Sequence, residues 1–209
     1  MRVAVFGATG ATGQHLISEL KMCGHSVSAL VRRDSAGLDG VRLVKGDVLT
    51  LSAVLETLKV ADAAVSCVGP SLWASLVKNS RVGRDGTACL LEAMRQLGMK
   101  RLVVTSAFGA AESRNQTSLL FRMAMSTLLS GIYADKNEME RLIRQSEMDW
   151  TVVRPTNLSN TSPAGQIVVN PRRKLGLASH INRADVARFL MEVVTSELFV
   201  QQPVTISAA

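Results

Sequence analysis

Aromatic side chains are scarce in this 209-residue chain, at 4% with a single tyrosine. That is too few to build the stacked platform on which single-stranded nucleic acids are held. Cysteine is rarer still: the three present, Cys23, Cys67 and Cys89, are odd in number and form no C-x-x-C pair. That usage argues against a structural metal and fits free thiols in a reducing compartment. Lys and Arg exceed Asp and Glu by 24 to 17, a net charge of +7, yet no basic run is present. Nucleic-acid binding calls for a clustered patch; scattered basic residues suit a small anionic ligand better. Long apolar runs are missing too. The richest stretch, 119–133, is interrupted by Arg122 and is too short to span a bilayer. Strand-like sequence begins at Arg2, which leaves no room for a signal peptide. The expectation is a soluble cytoplasmic protein with no membrane, metal or nucleic-acid partner.

Hydrophobic residues make up 47% and charged residues 20%, ordinary for a folded domain, and the length suits one α/β domain with a buried core. Short apolar runs at 2–6, 26–31, 41–45, 61–68, 101–105 and 150–153 read as buried strands. Between them, apolar residues recur at helical spacing: Leu16, Ile17 and Leu20, closed by Gly24; 51–58; and Leu90, Leu91, Met94 and Leu97, ended by Gly98. Asp135 with Glu138 resembles a capping box opening a helix whose apolar face is Met139, Leu142 and Ile143. Asn182 and Asp185 offer caps for a last helix that carries Val186, Phe189, Leu190 and Val193 inward. Short late strands are expected at 166–169 and 204–207, and 157–165 reads as an irregular loop. There is no internal repeat, low-complexity tract or linker. Strands alternating with helices imply a doubly wound, largely parallel sheet with helices on both faces.

The strongest local signal is Gly7-Ala8-Thr9-Gly10-Ala11-Thr12-Gly13, placed between the first strand and the first helix. A pyrophosphate needs main-chain amides at a helix N-terminus and no side chain in its path. Gly7 permits the tight turn, Gly10 the close approach, and Gly13 tight packing of helix on strand, as in Rossmann-type dinucleotide-binding domains. The spacing is G-x-x-G-x-x-G rather than G-x-G-x-x-G. At the end of the second strand, an acidic residue would favour NAD and a basic one the 2′-phosphate of NADP. Here Arg32 and Arg33 stand there, followed by Asp34, so NADPH is the expected cofactor.

Taken together, GATGATG at 7–13, LVRR at 30–33, GDV at 46–48, VGP at 68–70, VVTSAFG at 103–109, DKNEMERLIRQSEMDWTVVRPTNL at 135–158 and NRADVARFL at 182–190 resemble the atypical short-chain dehydrogenases. The resemblance is to the NAD(P)H-binding group that contains flavin reductase (biliverdin reductase B) and NmrA-like proteins, and it spans nearly the whole chain. It implies that Asp47 and Val48 lie along the adenine, and that Val68, Gly69 and Pro70 pass under the middle of the cofactor. By the same resemblance, Thr105 and Ser106 sit beside the nicotinamide, and Pro155, Thr156 and Asn157 wall the same pocket. Lys136, a cation near a helix N-terminus that opposes the macrodipole, is expected to touch the cofactor, whose negative or ribose groups would offset that. Ser106 and Asn157 become the candidate catalytic residues, and a small C-terminal substrate-pocket portion of the single domain is expected at about 155–182.

Two departures matter. Short-chain dehydrogenases commonly use Tyr-x-x-x-Lys, whereas Tyr133 and Lys136 are one residue too close. Asn157 stands where flavin reductase has a histidine. The implied activity is hydride transfer from NADPH to a flat conjugated acceptor, FMN or another flavin first, with Phe108 and Trp73 lining the acceptor pocket. Two other readings stay open: a non-catalytic NADPH sensor of the NmrA kind, and an epimerase-like or carbonyl-reductase-like enzyme. The Leu- and Met-rich segment holding Leu119, Leu120, Met123, Met125 and Leu128 reads as plain core, as a mobile cover over the acceptor or as a partner surface. A monomer or weak homodimer is expected.

Overall fold

The structure is a computed structural model that describes residues 1–33, 37–69, 81–127, 129–163, 165–171, 175–176 and 178–209, with Ala124 described by its backbone alone. Its elements in chain order are β1 (Arg2–Phe6), α1 (Ala11–Met22), β2 (Ser26–Val31), β3 (Arg42–Lys45), α2 (Leu51–Leu58), β4 (Ala63–Ser66), α3 (Val82–Leu97) and β5 (Arg101–Thr105). A 3₁₀ turn (Ala111–Gln116), α4 (Leu119–Ser126), α5 (Ser130–Arg144), β6 (Asp149–Pro155), β7 (Asn157–Ser159), β8 (Ile167–Val169), β9 (His180–Asn182), α6 (Arg183–Val194) and β10 (Gln202–Ala208) follow.

The main sheet has the order β3-β2-β1-β4-β5-β6-β10-β8. Every pairing is parallel except β10 with β8, which is antiparallel. Because both faces are covered, the central strands β1, β4 and β5 are continuous apolar runs rather than alternating ones. Val3, Val5, Val103, Val153 and Val204 pack on one face against Leu16, Ile17 and Leu20 of α1 and Val186, Leu190 and Val193 of α6. Ala4, Phe6, Leu102, Val104 and Val152 pack on the other against Leu58, Leu90, Met94, Met139 and Ile143. The chain order reverses between β1 and β4, and ligands of open α/β sheets lie at the carboxyl ends of the strands beside such a reversal.

The opposite pole is tied by arginines. Arg101 donates to the carbonyls of Asp149, Val193 and Leu198 and to the Thr151 hydroxyl, while Arg2 pairs with Asp62. Gly24 and Gly98 end α1 and α3 with φ of +77° and +67°, as their sequence positions imply. The Asn182 side chain caps α6 by accepting from the Ala184 N–H at 2.7 Å.

Two expectations are corrected. The segment 157–165 is not wholly irregular, since its first three residues form β7, which pairs in parallel with β9 as a separate two-stranded sheet. Strands of three residues are too short to show a period. The helix expected to open at Asp135 begins instead at Ser130. Glu138 turns forward to Arg141 at 3.0 Å rather than back to a cap, and Asp135 serves a different helix.

Candidate functional site

The first crossover carries the geometry that its glycines imply. Gly7 has φ of +83°, and a Cβ there would meet the Cys67 carbonyl carbon at 2.7 Å. The Gly10 N–H donates to the Gly7 carbonyl at 3.0 Å, and the Gln14 N–H to the Gly10 carbonyl at 2.9 Å. A Cβ on Gly13 would overlap the Gly7 carbonyl oxygen and crowd the Ala8 Cα at 3.0 Å, so α1 can lie this close to β1 only with glycine at that position. Thr12 and Gly13 are buried, whereas Thr9, Gly10 and Ala11 face solvent. Gly10, the cap residue of α1, provides no side-chain hydrogen bond, and the first turn holds no acidic residue.

Helix α3 is the contrast. The buried Asp135 carboxylate accepts from the amides of Gly83 at 3.1 Å and Arg84 at 2.9 Å. A Cβ on Gly83 would crowd that carboxylate, with the Asp135 Oδ2 at 2.6 Å. The protein's own anion therefore satisfies the start of α3, whereas no side chain caps the start of α1. The residues present fit a dinucleotide pyrophosphate, with the amides of the glycine crossover as its donors.

The other sequence candidates fall along the same ends of the strands. Arg32 and Arg33 are exposed directly after Val31 closes β2. Asp34 lies outside the described residues, as do Pro70, Trp73 and Leu128. Asp47 accepts from the Leu49 N–H at 2.9 Å, which shapes the turn after β3. Val48 packs against Gly86 of α3, where a Cβ would sit 3.0 Å from its Cγ1. Val68 is half-buried and Gly69 exposed. Beside Gly69 stands the amine of Lys136, 3.8 Å from where a Cβ would be. Lys136 is buried and donates to the Thr105 carbonyl at 3.1 Å. Burial lowers its pKa, against the opposing pull of Asp135, Glu140 and the Cys67 thiol. Burial also pushes the Cys67 thiol up to about 11, although the Thr105 hydroxyl beside it at 3.6 Å and Lys136 act the other way.

The two hydroxyls best placed for acid chemistry both donate to the protein itself. Tyr133 donates to the Phe108 carbonyl at 2.9 Å, and burial pushes its phenol up to about 12. Ser106, buried just past the end of β5, donates to the Glu140 carboxylate at 2.6 Å. Pro155 accepts from the Phe108 N–H at 2.9 Å. Thr156 is buried, with its amide on the Ile206 carbonyl and its hydroxyl without a partner among the described residues. Asn157 is exposed, and its N–H donates to the Ser179 carbonyl at 3.1 Å. Phe108 is buried with Phe121, Met125, Leu175 and part of Tyr133, so it belongs to a small core. Leu119, Leu120 and Met123 are exposed on α4, while Met125 is buried. That segment is therefore split between core and surface.

Sequence reasoning missed the charges behind Ser106. Glu140 and Arg154, 1% and 3% exposed, form a buried ion pair. Arg154 continues to Glu112 at 3.1 Å, and Glu112 also binds Arg144 at 2.7 Å. The signal was present in two places: an arginine inside the apolar strand 149–155, and a glutamate one helical turn after Lys136 on the same face. Burial alone would raise the Glu112 carboxyl, but hydrogen bonds from Arg154 and Arg144 outweigh it and hold it at about 2 against an ordinary 4.5. A depressed carboxylate adds stability that is complete above its unfolded pKa and fades as pH falls through the folded one. The melting temperature should therefore drop between about pH 4.5 and pH 2. Replacing Glu112 with Gln should flatten that drop in melts taken across the range, and an unchanged acid profile would contradict the pairing.

Among the described residues no group of three His, Cys, Asp or Glu side chains is placed to hold a metal, and no helix is long and apolar enough to cross a membrane. A doubly wound sheet whose first crossover is a glycine-lined, uncapped helix start defines a Rossmann protein of the dinucleotide-binding kind. Within that class the chain belongs to the NAD(P)H-binding family, whose model matches residues 7–197. It is 33% identical over 167 residues to a 3-diazoavenalumate denitrifying reductase of a Streptomyces species, covering 74% of this chain but only 55% of that protein. Among solved structures it is similar to a Bacillus halodurans protein of the NAD-dependent epimerase/dehydratase kind, with a TM-score of 0.84, 25% identity and coverage of 100% and 94% of the two chains. The fold is shared with ChuY, an anaerobillin reductase of Escherichia coli O157:H7, at a TM-score of 0.83, 19% identity and coverage of 100% and 97%.

Proposed function

We propose that this chain is an NADPH-dependent reductase that delivers hydride to a flat, conjugated acceptor, with a free flavin such as FMN as the first candidate. The observation that carries this reading is the commitment of the Tyr133 hydroxyl to the Phe108 carbonyl and of the Ser106 hydroxyl to Glu140, while the Thr156 hydroxyl, without a partner among the described residues, is a simple alcohol and a weak acid. A simple ketone or sugar carbonyl needs a positioned acid as hydride arrives. A conjugated ring that spreads the incoming charge needs chiefly proximity and orientation. NADPH supplies the hydride when bound, and the protein's task is to place it. The crossover amides of residues 7–13 hold the pyrophosphate, Arg32 and Arg33 the 2′-phosphate, and Lys136 the neighbouring ribose. Pro155, Thr156 and Asn157 line the acceptor side. The reductase names of the Streptomyces relative and of ChuY support the same class of chemistry.

Steady-state oxidation of NADPH with FMN, riboflavin, biliverdin and quinones tests the activity, and no turnover with any of them would overturn it. Cofactor choice is tested at Arg32. A charge-assisted hydrogen bond contributes about 1.5–3 kcal/mol, so Arg32→Ala should raise the KM for NADPH about ten-fold or more and leave that for NADH nearly unchanged. Equal shifts in both would remove the argument.

A further inference from the structure

Ser106 is fixed as a hydrogen-bond acceptor toward the site, and the residue that fixes it is Glu140. A serine hydroxyl has one proton to donate and two lone pairs. Here the proton goes to the Glu140 carboxylate at 2.6 Å, in the range of a charge-assisted O–H···O⁻ bond. That carboxylate cannot swing away, because it is buried and held by Arg154 through both of its oxygens. Arg154 is held in turn by Glu112 at 3.1 Å. Glu140 lies on the α5 side of the sheet, so the hydroxyl hydrogen is drawn toward the helix and away from the strand ends. Among the described residues no group donates a hydrogen bond to the Ser106 oxygen. What Ser106 offers beyond the network is lone pairs, and lone pairs select an N–H.

We infer that Glu140 is a positioning residue that makes Ser106 an obligate acceptor for the carboxamide N–H of the nicotinamide, so that the ring is oriented by its amide and not by a polarised carbonyl. This rests on the cofactor reading above. It also assigns a purpose to a buried ion pair that replacement by apolar side chains would leave nearly as stable. Arg154 and Glu112 act through Glu140, and neither touches the ring.

The test measures affinity, separately from turnover. Calorimetry on the full chain compares reduced NADPH with its reduced 3-acetylpyridine analogue, in which a methyl ketone replaces the carboxamide and no N–H remains. The parent protein should bind NADPH about three- to ten-fold more tightly than the analogue, the worth of one hydrogen bond. Ser106→Ala should bring that ratio close to one. So should Glu140→Met combined with Arg154→Met, which leaves Ser106 in place but releases its hydrogen. A merely structural role would weaken both nucleotides together and leave the ratio unchanged, which would overturn the inference. If the double variant does not fold, Ser106→Ala still decides, since retention of the parental ratio without the hydroxyl is also fatal. Equal affinity of the parent for the two nucleotides would sink this inference alone. Uptake of neither would sink the cofactor reading along with it.

Discussion

Gly13→Ala should abolish most nucleotide uptake and destabilise the fold by about 2–3 kcal/mol, the upper range for forcing extra atoms into a packed site. The added methyl meets main chain on two sides, the Gly7 carbonyl and the Ala8 Cα. Neither can move aside as a side chain would. The strain is relieved only by lifting α1 off β1, which carries the amides of the first turn away from the Gly7 crossover. In a domain of this size each kcal/mol is worth about 2–4 °C, so the melting temperature should fall by about 5–10 °C. Affinity for NADPH should fall at least about ten-fold, since each factor of ten is about 1.4 kcal/mol of lost contact. Gly24→Ala is the control, because that residue has φ of +77° and nothing within 4 Å of an added Cβ. It should show a modest loss of about 1–2 kcal/mol from the left-handed backbone and parental NADPH affinity. Matching behaviour of the two variants in thermal melts and calorimetry would contradict the crossover geometry.

Arg154→Met should cost about 3 kcal/mol, at the lower end of the range for stripping the partner from a buried charge. Glu140 would keep the Ser106 hydroxyl and, as its nearest guanidinium, Arg144 at 3.7 Å, and would lose the two hydrogen bonds from the Arg154 guanidinium. A domain stable by roughly 5–15 kcal/mol overall would feel that as a large fraction. Adding Glu140→Met to Arg154→Met should return most of the loss, because two apolar side chains of similar bulk suit the interior between α5 and β6. Denaturant titrations of the parent, the single and the double variant check both halves. A neutral single variant would show that the pair is not buried as described, and a double variant worse than the single would show that the pair itself stabilises the fold.

Much of this molecule can be read from local pattern because its sheet is parallel. Buried strands become unbroken apolar runs, helices announce themselves by spacing, and Gly24 and Gly98 punctuate their ends. The crossover was equally legible, since a glycine that must take φ of +83° or admit a neighbouring backbone has few substitutes. What escaped was tertiary pairing. Asp135 and Glu138 have the spacing of a capping box, and nothing in the local sequence shows that Asp135 satisfies Gly83 and Arg84, about fifty residues earlier in the chain. Glu140 and Arg154 were passed over for a related reason: an arginine inside an apolar strand is a signal of burial, but its partner shows only when helix α5 is laid on strand β6. Ser106 was placed correctly at the strand end, but the direction of its hydrogen depends on that unseen glutamate. β7 and β9 were too brief to carry a period.

The knot of carbonyls gathered by Arg101 separates endurance from chemistry. One guanidinium hems β5, β6 and the tail of α6 at the end of the sheet opposite the glycine crossover. Heat tolerance should therefore be tunable at that hem by substitutions that leave the glycine crossover untouched.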